Sequence, residues 1–194
     1  MPNQSIFNTS NKPLIGQAAN TINKLGCYLP SDSATSAAAA GAFSIYASNS
    51  ASLGILGGTV NTSLQVVNPV GSGKQLFLDQ VYCYIDVSLS LLSGFSGQLT
   101  IFQGGSIGTS TSQTPANLVL GSSVASVTTA ASSINTVSGG TTYQVYALYP
   151  GPFQIPLGGK IVVPPGQTLT INVFGSLSLL GILGNGASVT WWEK

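Results

Sequence analysis

From Phe43 onward, apolar residues tend to recur at every second position. The clearest run spans 77–87, where one alternate set is apolar and the other polar: Phe77, Val81, Cys83, Ile85 and Val87 against Gln80, Tyr82, Tyr84 and Asp86. This is the pattern of a strand with one face in a core and the other towards solvent. Similar runs occur near 64–66, 99–101, 118–120, 124–127, 143–149, 169–173 and 189–191, separated by Gly, Pro, Asn and Ser. About eight to ten short strands divided by such turns predict an all-β fold, an antiparallel β-sandwich.

Two parts of the chain repeat one another. YIDV at 84–87 precedes SLSLL at 88–92, and TINV at 170–173 precedes a second SLSLL at 176–180. Each copy continues through a glycine-containing bend into another apolar run. Two corresponding hairpins suit a doubled Greek key, so a jelly roll is the expected layout of the sandwich.

The first thirty residues differ from the rest of the chain. They are polar and rich in Asn and Pro, which predicts an extended N-terminal arm over 1–30, followed by a single β-sandwich domain over 31–194. The Ala-rich stretch 31–43 is the one helix expected, with Ser31 or Asp32 as its cap and Gly41 at its end. The arm suits addition of a strand to a neighbouring sheet edge, or is simply a flexible tail.

The composition then removes most chemistry. The 194 residues include five Lys, four acidic residues, no Arg and no His. Such a chain lacks the basic footprint that nucleic acids or anionic membranes require, and it cannot build a His-dependent catalytic site. Two separated cysteines and four acids predict no metal cluster. We therefore expect no enzyme activity and no cofactor. No apolar run is long enough to span a bilayer, and the N-terminus shows no signal-peptide pattern.

The bends between strands carry the feature that points to function. Turns are normally polar, yet three of these segments are rich in Leu, Ile and Phe. Clustered at one end of the sandwich, they would form an apolar patch suited to a contact between subunits. The alternative is that they are strand ends folded over the core. The candidate interface residues are Leu53, Ile55, Leu56, Leu89, Leu91, Leu92, Phe95, Leu177, Leu179, Leu180, Ile182 and Leu183.

Two further sets of residues leave alternatives open. Cys27 and Cys83 are a candidate disulfide, although the apolar neighbours of Cys83 favour a buried free thiol. The aromatic residues are a candidate sugar-stacking platform, which makes a carbohydrate-binding adhesion module the alternative function. Those residues are Tyr82, Tyr84, Tyr143, Tyr146, Tyr149, Trp191 and Trp192.

Two segments resemble known structural proteins. VVNPVGSGKQLFLDQVYCYID at 66–86 resembles a hairpin of small β-sandwich proteins in phage particles. SLSLLGILGNGASVTWWEK at 176–194 resembles the last strands of jelly-roll domains on bacterial spore-surface fibres. Together the two segments cover about a fifth of the chain, and the collagen repeat of the spore fibres is absent. The resemblance implies a structural role on the outside of a particle, without a catalytic site.

These observations predict a non-enzymatic structural subunit that associates with itself through the apolar bends and the arm. The expected setting is a virion component (capsid, decoration, tail or fibre protein) or an extracellular or spore-surface filament. Other particle proteins or a surface glycan are the further partners expected. The low charge agrees with this prediction, because a nearly uncharged surface lacks the repulsion that keeps free proteins apart.

Overall fold

A short helix precedes the long strands of the domain. The computed structural model describes residues 6–7, 13–14, 32–39, 41–89 and 94–194, in two units, Met1–Ser31 and Asp32–Lys194. In the first unit, β1 (Ile6–Phe7) pairs antiparallel with β2 (Pro13–Leu14). The rest of the predicted arm lies outside the described residues. In the second unit, the expected helix is present as α1 (Asp32–Ala38).

Two antiparallel sheets packed face to face form the domain, which confirms the predicted β-sandwich. The first sheet has the order β13-β5-β16-β3-β9, and β14 adds to the far side of β5. Its strands are β3 (Ala42–Leu53), β5 (Leu76–Leu89), β9 (Ala116–Asn117), β13 (Gly151–Pro156), β14 (Val162–Val163) and β16 (Gly181–Glu193). The second sheet has the order β12-β6-β15-β4-β10-β8. Its strands are β4 (Gly58–Val67), β6 (Phe95–Gln103), β8 (Thr111–Gln113), β10 (Thr129–Ser133), β12 (Thr141–Leu148) and β15 (Thr168–Leu177). A separate ladder joins β7 (Ser106–Ile107) to β11 (Val137–Ser138).

The core lies between the two sheets and is filled by alternate residues of the long strands. Phe43 and Trp191 pack with their ring centroids 6.2 Å apart, and both side chains are almost completely buried. Each large apolar side chain buried in this way contributes about 1.5–3 kcal/mol to stability. Among the largest fully buried side chains are Leu64, Leu76, Leu78, Ile85, Leu99, Ile101, Ile171 and Leu183.

The alternation along β5 changes phase near its start, which corrects the prediction that Phe77 shares a face with Val81. Leu76 and Leu78 are buried, whereas Phe77 is only partly buried. The register against β16 shifts between Thr190 and Trp191, so one extra residue on β5 forms a β-bulge. A bulge moves the inward face from one set of alternate residues to the other. A strict period of two over 77–87 therefore misplaced one residue.

The segment 118–128 forms turns and loops rather than the strands predicted around 118–120 and 124–127. Its apolar side chains are substantially exposed, and Leu120 is 96% exposed. Hydrogen bonds from Ser126 and from the amide of Val127 to the Glu193 carboxylate hold the segment against the end of β16. Hydrogen bonds from backbone groups to side chains replace those that a neighbouring strand would supply. The segment can therefore be a loop.

Four connections change sheets at the same end of the sandwich. They join β3 to β4, β5 to β6, β12 to β13 and β15 to β16, at residues 54–57, 90–94, 149–150 and 178–180. Gly181 pairs with both Leu53 and Leu89, and Leu177 pairs with both Gly58 and Phe95. Each SLSLL repeat begins with the last two residues of a strand, 88–89 of β5 and 176–177 of β15. We call this part of the molecule the connection end.

Candidate functional site

The strand ends that flank three apolar bends meet at the connection end. The ends of β3 and β5 both lie beside the start of β16, while the starts of β4 and β6 both lie beside the end of β15. Ile55 is 77% exposed and Leu56 is 90% exposed on the 54–57 turn. Leu180 and Ile182 are each 54% exposed on the neighbouring bend. We call this set, together with the partly exposed Leu179, the apolar patch.

Of the other predicted interface residues whose side chains are described, two are buried in the core and two pack at its edge. Leu177 and Leu183 are buried, so the prediction that they contribute to an exposed patch is corrected. Their side chains lie on the inward face of the alternating strands β15 and β16. Leu53 and Phe95 are partly buried and pack against the core. The side chain of Leu89, together with Leu91 and Leu92, lies outside the part of the chain that can be described.

One exposed aromatic residue at this end was missed as a candidate interface residue. Tyr149 lies on the 149–150 connection and is 70% exposed. Leu148 pairs with Gly97 near the start of β6, and Gly151 pairs with Ile85 near the end of β5. The alternation at 143–149 shows only that Tyr149 belongs to a strand end. The pairing of distant strands places it at the connection end, on the β12 and β13 edge of the sandwich.

The charged residues lie mainly at the opposite end. Among the described residues of the domain, the charges close to the start of β5 and the end of β16 are Lys74, Asp79, Lys160, Glu193 and Lys194. Lys74 Nζ lies 3.6 Å from the buried Glu193 carboxylate. Asp86 is the one described charge in the half of the sandwich that carries the connection end. The described charges are therefore concentrated at one end, whereas exposed apolar side chains occur at both ends: Val70 is 89% exposed and Leu120 is 96% exposed near the charged end.

A polar groove crosses the outer face of the first sheet. It has a volume of about 440 Å³ and is lined by Ser48, Asn49, Ser50, Tyr84, Asp86 and Gly184. Strand pairing places residues of β3, β16 and β5 side by side, in two successive rows across the sheet. The first row is Ser50, Gly184 and Asp86, and the second is Ser48, Gly186 and Tyr84. We call this feature the serine–tyrosine groove.

Tyr84, which lines the serine–tyrosine groove, is hydrogen-bonded to a second phenol, that of Tyr46. The hydroxyl oxygens of Tyr46 and Tyr84 are 3.3 Å apart, so one hydroxyl donates to the other. Hydrogen bonds with Ser48 and then with Tyr84 lower the pKa of Tyr46. The bond with Tyr46 and burial raise the pKa of Tyr84. The bond between the two phenols therefore joins β3 to β5 across β16 on the outer face of the first sheet.

The predicted aromatic platform is not assembled. Trp191 and Trp192 are buried. Tyr143 and Tyr146 belong to β12 in the second sheet, far from Tyr82 and Tyr84 on β5 in the first. The groove instead brings Tyr84 next to Tyr46, Ser48 and Ser50 of β3. Sequence reasoning missed these β3 residues, although the alternation of polar side chains from 44 to 52 marks an exposed strand face.

The cysteine and acidic residues in the described part of the chain provide no further candidate site. Cys83 is a buried free thiol, so the candidate disulfide is not formed at this residue, and Cys27 lies outside the described residues. Burial raises the pKa of Cys83 to about 11. No group of three or more His, Cys, Asp or Glu residues suited to a metal occurs in the described ranges. Nor do those ranges contain a helix long and apolar enough to cross a bilayer.

Comparison with known proteins gives no relative for this arrangement. No protein-family model, no curated protein and no solved structure matches the chain.

Proposed function

We propose that this protein is a non-enzymatic structural subunit that assembles with copies of itself through the apolar patch. The observation that carries the proposal is the meeting of exposed Leu and Ile side chains from two sheet-changing connections at one end. Apolar turns are unusual, and contiguous exposed apolar surface of this kind marks contact sites in soluble proteins.

The strand order supports a place in a particle or filament. We infer that β13-β5-β16-β3 facing β12-β6-β15-β4, with four sheet-changing connections at the connection end and others at the opposite end, is a jelly roll. This architecture is used by viral capsid and lectin domains. A fold does not determine a function, so the architecture adds to the argument from the patch and does not replace it. The proposed setting is therefore a virion component or a surface filament.

A second copy of the chain is the occupant that the surface chemistry favours. Burial of the Leu56 or the Ile55 side chain between two copies contributes about 1–2 kcal/mol per residue to the free energy of association. The described charges lie mainly at the opposite end, so two patches meet without like charges facing one another. The formal net charge of +1 adds almost no long-range repulsion between copies.

The test compares exposed leucines at opposite ends, two in the apolar patch and one in the loop 118–128. Leu56→Ser with Leu180→Ser removes apolar surface from the patch, and Leu120→Ser removes a leucine that is at least as exposed as either from the loop near the charged end. We expect wild-type protein and the Leu120 variant to form the same oligomer by light scattering at two concentrations. The double variant is expected to shift towards the monomer.

Two results would refute the proposal. One is a wild-type protein that remains monomeric throughout the concentration range. The other is an oligomer whose mass is unchanged in the double variant while circular dichroism shows that all three proteins are folded. Electron microscopy of wild-type assemblies then distinguishes closed particles from open filaments.

A further inference from the structure

The serine–tyrosine groove has the features of a ligand site independent of the apolar patch. Its floor is Gly184 of β16, the strand between β3 and β5 in the first sheet. Glycine in a strand interior weakens the strand, and it often marks a place where another molecule approaches closely. We propose that this groove binds a single ring of a neutral saccharide.

Gly184 and its neighbour Gly186 on the same strand face have different surroundings, which define the open part of the groove. A Cβ added to Gly186 would lie 2.5 Å from Cε1 of Tyr84, so the Tyr84 ring already covers this glycine. A Cβ added to Gly184 would meet nothing closer than Ser50 Cβ at 3.6 Å. The space above Gly184, between Ser50 and Asp86, is therefore unfilled by the protein.

The dimensions of the groove suit one sugar ring. Strands lie about 4.8 Å apart, so β3 and β5 are separated by about 10 Å across β16, and the two rows are about 7 Å apart. The volume of about 440 Å³ falls within the range of small-molecule sites. The groove is therefore too short for a polymer in an extended conformation. It is large enough for one sugar ring with its hydroxyl groups.

The lining supplies the mixture of donors and acceptors that sugar hydroxyls need. Ser48, Ser50 and the phenol of Tyr84 each donate and accept, while the Asp86 carboxylate accepts only. Asp86 is not joined to Lys in any ion pair of the described residues. A carboxylate without a neighbouring cation disfavours anionic ligands, and hydrogen bonds to it are stronger than neutral ones. The Tyr84 ring adds an apolar surface for the C–H face of the sugar.

Saturation-transfer NMR of the full chain tests the proposal. The probes are the methyl glycosides of glucose, galactose, mannose and N-acetylglucosamine, with tetramethylammonium as a cationic comparison. We expect saturable binding of at least one glycoside, weakened at least about tenfold by Asp86→Asn through loss of a charge-assisted hydrogen bond. Gly184→Val is expected to abolish binding because its side chain occupies the open space.

The control for Gly184→Val is Gly108→Val, which adds the same side chain at a glycine remote from the groove with only one neighbouring atom within 4 Å of a new Cβ. This variant is expected to bind as the wild type does. The Leu56 and Leu180 double variant should also retain binding, which separates the groove from self-assembly. The proposal is overturned if no glycoside binds, if only tetramethylammonium binds, or if a glycoside binds equally to the folded Gly184 variant.

Discussion

Asn185 is a polar residue in the middle of the core, and its replacement gives the sharpest test of the fold. It lies on the inward face of β16 and is completely buried. Its Oδ1 accepts a hydrogen bond of 2.6 Å from Thr62, and its Nδ2 donates to the carbonyls of Val60 at 2.9 Å and Val173 at 3.2 Å. All three partners belong to the opposite sheet, so this side chain joins the two sheets. The perturbation is Asn185→Asp, which keeps the shape and removes both N–H donors.

The cost of Asn185→Asp follows from these contacts. A neutral aspartic acid keeps the bond from Thr62 and has one O–H for two carbonyls, so it loses one net hydrogen bond, about 1 kcal/mol. A buried carboxylate facing two carbonyl oxygens is strongly disfavoured, so the folded variant takes up a proton. At pH 7 that protonation costs about 4 kcal/mol, because the usual pKa of Asp is about 3.9 and each pH unit is worth about 1.4 kcal/mol. The expected loss is therefore about 5 kcal/mol at pH 7.

The same reasoning gives the pH dependence of the variant. Its Asp has a folded-state pKa raised above the unfolded value, so the folded state binds the extra proton. Stability of the variant relative to wild type is then greatest below about pH 4 and falls by about 1.4 kcal/mol per unit as pH rises to 7. The assay is urea unfolding followed by tryptophan fluorescence between pH 4 and 7. It is performed at low protein concentration so that association does not contribute.

Asn135→Asp is the matched control. Asn135 also donates from Nδ2 to a carbonyl, that of Gly108 at 3.1 Å, but it is exposed. Water replaces the lost bond there, so a change within about 0.5 kcal/mol and no added pH dependence are expected. The reasoning is refuted if both variants lose the same stability at pH 7, or if the difference between them does not change with pH.

Three further predictions concern other buried groups. Glu193→Ala leaves a backbone amide and an indole without their carboxylate acceptor, so stability should fall by about 2–5 kcal/mol in urea unfolding, about 1–3 kcal/mol for each unsatisfied donor. Gly186→Ala places a Cβ 2.5 Å from the Tyr84 ring, whereas Gly184→Ala makes only ordinary contacts. The first should therefore destabilise the protein by about 1–3 kcal/mol more than the second. Burial raises the pKa of Cys83 to about 11. The folded state holds the thiol proton, so wild type should lose about 2–3 kcal/mol relative to Cys83→Ala between pH 9 and 11.

Each of these predictions has a result that contradicts it. For Glu193→Ala it is a stability within 1 kcal/mol of wild type, which would mean that solvent replaces the carboxylate at about the cost of a single hydrogen bond. For the glycine pair it is equal melting temperatures. For Cys83 it is rapid reaction of the native thiol with an alkylating reagent at pH 8, since a buried thiol in its neutral form reacts only after unfolding.

The β-sandwich was readable from the sequence because side chains alternate between faces along every strand. That local rule identified the inward residues of β5 after the bulge, and it placed Trp191 on a strand. The rule failed at Phe77 because one extra residue in β5 reverses which alternate residues face the core. The sequence of β5 does not show where this bulge lies, because the bulge is defined by the pairing with β16. The rule also failed at 118–128, where side-chain bonds to Glu193 replace a ladder.

The candidate site was only partly readable for a related reason. Apolar bends at 53–56 and 177–183 are visible in the sequence, but the same stretch holds the exposed Leu180 and the buried Leu183. Which of them faces solvent depends on the phase of the strand that follows the bend. The serine–tyrosine groove requires Ser50 and Asp86 to lie on either side of Gly184, and these residues are distant from one another along the chain.

The sequence by itself therefore determined the class of fold, the scarcity of charge and the presence of apolar bends, since these depend on composition and on neighbours a few residues apart. Only the tertiary structure decided that the bends meet at one end, that most charges lie at the other, and that Tyr46 reaches Tyr84 across β16. The physical reason is that strand pairing is non-local. Hydrogen-bonded ladders join segments far apart in the chain, and local alternation specifies which residues face the core without specifying which strands become neighbours.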